Sequence, residues 1–170
     1  FCHQPHHMAQ QDAAGNISQS SNSLNVTTLG NSVTYCSSRG NSVADEYIGN
    51  VTIGTINNTS TGGNGYSDFT SISTNLGRGA STNISITPVW VGTIYSEGYG
   101  VFIDYNQDGD FADPGETAWT KSRSKNAAIN GSFTVPASAS LGATRMRIVM
   151  KYNATPTACE TSFAYGEVED

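Results

Sequence analysis

Histidine is absent from residue 8 onward; His3, His6 and His7 are the only three and all lie in the first seven positions. The remaining chain has no imidazole to serve as a base. That removes Ser-His-Asp and Cys-His nucleophile arrangements and HExxH zinc sites. Carboxylates alone can catalyse, as in glycosidases, but no pair in this sequence points there, and no enzymatic activity or catalytic residue is expected. Charge is scarce as well. Asp, Glu, Lys and Arg make up 13% of the chain, against about 25% in a typical soluble domain. Eight basic residues face 14 acidic ones, for a formal net charge of -6. With no basic run, the chain lacks the electrostatic footprint of a nucleic-acid binder and has no attraction for an anionic bilayer. No stretch approaches ~18 consecutive apolar residues, so no membrane insertion is expected. No segment sustains helical periodicity for about ten residues.

Polarity comes instead from Ser, Thr and Asn, which account for 55 of the 170 residues. The length fits about one domain and is enough to bury a core. A polar but weakly charged surface of this kind belongs to a secreted, extracellular β protein. The chain begins at Phe1 rather than Met, which reads as a processed product or a fragment.

Cysteines stand at 2, 36 and 159. Cys36 and Cys159 bracket the globular part and are expected to pair in an oxidising compartment. Cys2 is then left over, pointing to an intermolecular bond or a free thiol. Cys2-His3-Gln4-Pro5-His6-His7 is dense in soft ligands; it could hold copper or zinc, or be a solvated tail.

Residues 1–34 read as an arm. Leu24 and Val26 alternate with Asn25 and Thr27, the period of a half-buried strand, and Leu29 and Val33 follow. The arm is either a candidate donor strand or an ordinary first strand of the domain. From Tyr35 onward the pattern is β. Strands are expected at 47–56, at 81–95 as two strands broken by Pro88, and at 100–105, 132–136 and 145–152, with 57–65 as a loop. Short strands at this spacing between Gly- and Asn-rich turns predict an all-β fold, a jelly-roll or Ig-like sandwich, with a barrel as the alternative. Arg145, Arg147 and Lys151 alternate with Met146, Ile148 and Met150, which predicts a solvated face opposite a core face.

Asp104-Tyr105-Asn106-Gln107-Asp108-Gly109-Asp110-Phe111-Ala112-Asp113-Pro114-Gly115-Glu116 carries the strongest chemical signal. Asp-x-Asn-x-Asp-Gly places oxygen ligands at alternate positions around a hard cation, and Gly109 allows the sharp turn. Glu116 falls one residue later than in an EF-hand, and no helix flanks the loop. Asp104, Asn106, Asp108, Asp110, Asp113 and Glu116 are the candidate ligands of a structural Ca2+. The alternative is an acidic solvated turn.

Tyr35-Cys36-Ser37, Glu46-Tyr47-Ile48, Gly65-Tyr66-Ser67-Asp68-Phe69-Thr70, the 104–116 loop, Thr144-Arg145-Met146-Arg147, Met150-Lys151-Tyr152, Cys159 and the closing Gly166-Glu167-Val168-Glu169-Asp170 resemble the GEVED domain. The resemblance covers about residues 35–170. It implies an extracellular β-sandwich accessory module of secreted bacterial proteins, often from Bacteroidota. In that family the motif runs on into a terminal strand, whereas this chain stops at Asp170. The expectation is therefore a sandwich with an open edge, filled by the arm of a neighbour as in donor-strand complementation. Such a head-to-tail contact repeats into a filament. Leu24, Val26, Leu29, Val33 and Cys2 are the candidate inter-subunit residues, and the partner is a homo-polymer. The alternative is a monomeric adhesion or carbohydrate/matrix-binding accessory module of a larger secreted protein.

Two weaker signals remain. Asn16, Asn25, Asn50, Asn57, Asn58, Asn83, Asn130 and Asn153 begin Asn-x-Ser/Thr sequons, possible glycan acceptors in a host with that machinery. Trp90, Tyr95, Tyr99 and Trp119 offer either a sugar-stacking platform or core packing.

Overall fold

A computed structural model describes residues 33–170. Cys2, Leu24, Val26 and Leu29 of the arm, with the Cys-His cluster at residues 2–7, lie outside the described residues. The strands, in chain order, are β1 (Gly40–Ser42), β2 (Glu46–Ile53), β3 (Ile56–Thr59), β4 (Tyr66–Ser67), β5 (Ser81–Trp90), β6 (Glu97–Ile103), β7 (Thr117–Ser124), β8 (Ile129–Thr134), β9 (Met146–Tyr152) and β10 (Phe163–Glu169). They form two sheets. One runs β3-β2-β5-β8; the other runs β1-β10-β9-β6-β7, with β4 also pairing β10. The sheets pack as a sandwich. Ile48, Val51, Ile53, Ile84 and Ile86 from the first meet Tyr99, Val101, Ile103, Ile148 and Met150 from the second.

Residue chemistry accounts for the strands. β-branched residues recur with period two on β2 and β5, which seats their inward face on the core. The register between β2 and β5 shifts between Ile48 and Asn50, opposite Pro88 and Thr87. Pro88 therefore does not break the strand. It has no N–H to offer, and the bulge beside it absorbs the missing ladder bond. The second strand expected at 90–95 does not form: β5 ends at Trp90, and 91–96 is an exposed connection. Part of the loop expected at 57–65 is strand β3, joined to β2 by a tight turn at Gly54-Thr55. Strand β7 went unseen by the pattern because it is an exposed edge with no apolar alternation, Ala118 and Trp119 aside.

The sheet containing β6 is covered on both faces. Its outer face carries a second core of Phe102, Phe111, Val149, Ala158, Phe163 and Val168, roofed by Tyr35, Cys36 and Tyr66. This layer corrects two expectations. First, β10 is not an open edge: β9 pairs it on one side, and β1 and β4 pair it in parallel on the other. The Asp170 amide donates to the Ser67 carbonyl, and the Phe69 amide donates to the Asp170 carbonyl. Second, Arg147 is not solvated. It is 2% exposed, because loops cover the face on which the alternation places it. Among the described residues, no helix is long and apolar enough to cross a membrane.

Candidate metal centre

The 104–116 loop connects β6 to β7 and folds around its own side chains. Asp104 is fully buried. Its Oδ1 accepts the Gln107 amide at 2.6 Å; its Oδ2 accepts the Gly109 amide at 3.0 Å and the Tyr35 hydroxyl at 2.7 Å. The Thr144 hydroxyl donates to the Asp104 carbonyl. Glu116 is 2% exposed and braces the other end. Its carboxylate accepts the Tyr105 amide at 2.9 Å and the Asp113 amide at 3.3 Å. Gly109 has φ of 100°, a left-handed conformation that side chains resist, so the Asp-Gly pair is needed for the turn itself.

Between these braces, Asp108, Asp110 and Asp113 converge. One oxygen from each lies within 4.8 Å of the others, and all three residues are exposed. Asn106 sits among them, its amide nitrogen donating to Asp108 at 2.9 Å and to Asp113 at 2.7 Å. Asp108 and Asp110 in turn accept backbone amides two residues on. The Asn106 contact and these turns hold the Asp108 carboxyl below its usual range. Burial raises Glu116. Burial and the Asp104 carboxylate push the Tyr35 hydroxyl up to about 12. The six residues expected to hold Ca2+ thus divide by position. Asp108, Asp110 and Asp113 form the cluster, Asn106 bridges it, and Asp104 and Glu116 are occupied by loop amides. The donor set is all oxygen and carries three negative charges at the cluster, which suits a hard cation.

The pairing of Cys36 with Cys159 is present, closing a separation of 123 residues with Cα atoms 5.6 Å apart. It fastens the loop layer that carries Tyr35, and through Tyr35 the acidic loop. Val33 lies over Gly109; a Cβ there would sit 2.3 Å from the Val33 side chain.

Sequence reasoning missed what the closing motif does. Gly166 has φ of 116°, and a Cβ on it would lie 2.1 Å from the Met150 carbonyl oxygen. The Glu167 carboxylate accepts the Ile48 amide at 2.9 Å and the hydroxyls of Ser67 at 2.6 Å and Ser60 at 3.2 Å. Glu169 is buried beside it, and burial and Glu167 push it up to about 8. The Asp170 carboxylate takes both arms of the Arg147 guanidinium at 2.6 Å, plus Arg145 at 3.0 Å and the Tyr66 hydroxyl at 3.2 Å. Arg147 also donates to the carbonyls of Cys36 and Ala158, both at 2.9 Å. The motif is a structural clamp.

The expected aromatic platform is divided as well. Tyr99 is fully buried, and Trp119 packs on the core. Tyr95 instead joins Tyr152 and Tyr165 in an edge-to-face row, with centroids 5.6 and 5.9 Å apart. Tyr152 and Tyr165 are 39% and 40% exposed.

A two-sheet sandwich with an acidic loop between neighbouring strands and a buried acidic terminal strand defines a class of non-helical β module. The GEVED domain profile matches residues 98–170, and over those residues the chain is similar to that family. No curated protein and no solved structure matches the chain significantly.

Proposed function

We propose that the chain is a secreted, non-enzymatic accessory module, braced by Ca2+ in the 104–116 loop, that binds a carbohydrate or matrix ligand. The observation that carries this reading is the tyrosine row Tyr95-Tyr152-Tyr165, half-buried at Tyr95 and exposed at Tyr152 and Tyr165. Val91 and Ile94, in the same connection as Tyr95, are 60% and 50% exposed. Clustered exposed aromatics mark binding surfaces; their rings stack on sugars while their hydroxyls hydrogen-bond. The expected outcome is a ligand on a glycan or matrix array whose retention drops at least tenfold in Tyr152→Ala and Tyr165→Ala, with melting temperature unchanged. Full retention by both variants sinks this reading.

A second reading, a structural subunit assembled head to tail by its N-terminal arm, draws on two other observations. With Cys36 and Cys159 paired, Cys2 is the one cysteine of the sequence left over. Among the described residues, β1 and β7 end one sheet and β3 and β8 end the other, and these are where a donated strand would add. Each is guarded in a recognised way. β1 and β3 have three and four residues, β7 carries Lys121 and Arg123, and Trp119 closes over Gly131 of β8. Negative-stain imaging of the full chain and of a version lacking residues 1–34 decides. Filaments that disappear with the arm support assembly; single particles in both samples end it.

A further inference from the structure

We infer that the sandwich interior holds a second divalent-cation site, separate from the acidic loop, formed by Glu46 and Glu97 with the Tyr99 hydroxyl. Glu46 opens β2 and lies opposite Trp90, the last residue of β5. Glu97 opens β6 in the facing sheet, and Tyr99 follows two residues later on the same face. The three are 1%, 0% and 0% exposed. All four carboxylate oxygens and the Tyr99 hydroxyl lack a hydrogen-bond partner. The Trp90 indole nitrogen, buried at the same end, lies near enough to Glu97 to favour its charged form but reaches no hydrogen-bond geometry.

Burying an ionised carboxylate without a partner costs several kcal/mol. The same sandwich shows what it does with a carboxylate that needs donors. Glu167 receives an amide and two hydroxyls. Glu46 receives no hydrogen bond, Glu97 has only the nearby Trp90 indole N–H to soften its charge, and none of the ion pairs among the described residues includes either. The two carboxylates also repel. Burial and Glu46 together push Glu97 up to about 7, and burial raises Glu46. Both Glu97 and Glu46 act on the Tyr99 hydroxyl, so the three groups lie within electrostatic reach of one another at this end of the core. Buried water could fill their acceptor sites, and a proton on Glu97 would remove one negative charge, but neither leaves the second carboxylate paired. A hard cation fills those sites and pairs both carboxylates. The donor set is oxygen only, which selects Ca2+ or a similar ion over softer metals. Its five oxygens fall short of the six to eight Ca2+ takes, so backbone carbonyls or water complete the shell.

Trp90 provides the readout. Terbium(III) is added to the calcium-free full chain, with excitation at the red edge of the tryptophan band, where tyrosine does not absorb. Sensitised emission is expected from the unaltered chain and from an Asp108→Asn/Asp110→Asn loop variant. Within that loop variant, where Trp119 of β7 has no loop-bound ion to sensitise, it should be lost on adding Glu97→Gln and should fall on adding Trp90→Phe. Equilibrium dialysis should count two calcium ions per chain in the unaltered protein and in Trp90→Phe, and one in Glu97→Gln and in the loop variant. If Glu97→Gln does not fold, Trp90→Phe and the loop variant still decide. In the loop-variant background, emission that Glu97→Gln and Trp90→Phe leave unchanged, or emission absent from the loop variant itself, overturns the site. So does a loop variant that retains no calcium. A calcium count of one in the unaltered chain that falls to none in the loop variant leaves the loop reading standing and this one refuted.

Discussion

Arg147 is the residue through which the outer layer of the sandwich is tied together. Its guanidinium takes Asp170 bidentately, reaches carbonyls on both sides of the disulfide, and lies 5.1 Å from the Phe111 ring centroid. A planar fork with five donors suits this place, and an ammonium does not. Removing one partner from a buried ion pair strands the other and costs about 3–5 kcal/mol. Arg147→Ala is therefore expected to lose that much stability in urea unfolding. Arg145→Ala, whose side chain is 28% exposed, should lose no more than about 1 kcal/mol. Equal losses would show that Asp170 does not discriminate between them. The alternation of Arg145, Arg147 and Lys151 with Met146, Ile148 and Met150 was legible and correctly divides the two faces of β9. What could not be read was the cover. A charged face is wet only where nothing lies on it, and here chain distant in sequence does: the segments around Cys36 and Ala158.

At the scale of the element, β10 inverts the ordinary strand pattern. Tyr165, Glu167 and Glu169 share a face, yet two of the three are acids buried between the sheets. Alternation rules assign acids to solvent, so this strand is invisible to periodicity and is found only through the family motif. The bulge at Gly49 helps explain its tolerance: the Ile48 amide, where the ladder shifts, bonds Glu167 instead. Glu169 has no such complement, since its Oε1 is unpartnered. With its proton affinity raised to about 8, the folded chain holds a proton there that the unfolded chain releases near the ordinary glutamate value of about 4.3. Stability from this group is complete below that lower value and is lost as pH rises toward about 8. In chelator, the chain should melt at a higher temperature at pH 5 than at pH 8. Glu169→Gln, a neutral mimic of the protonated form, should flatten that dependence. An identical pH slope in the variant would assign the effect elsewhere.

At the scale of the whole molecule, one layer concentrates the cross-links. The disulfide, the Arg147 clamp and the acidic loop all fasten chain onto the outer face of the β6 sheet, and Tyr35 joins the first to the third through its bond to Asp104. Closing a loop of this length is worth about 5 kcal/mol in the chain-entropy description. A cation bound only by the folded state adds about 2.7 kcal/mol at a hundredfold excess over its Kd. For a domain of this size each kcal/mol moves the melting temperature by about 2–4 °C. Calcium in such excess over chelator should therefore raise it by roughly 5–10 °C for the loop ion alone. Asp108→Asn/Asp110→Asn, which removes two of the three converging carboxylates, should lose most of the share that belongs to the loop. The two fastenings also act on the same layer. Reduction of Cys36–Cys159 frees Tyr35 from its anchor, so calcium should stabilise the reduced chain by less than the oxidised one. Equal calcium shifts in both redox states would mean that loop and disulfide act independently. Equal melting with calcium and with chelator in the oxidised chain would mean that the acidic loop is a solvated turn.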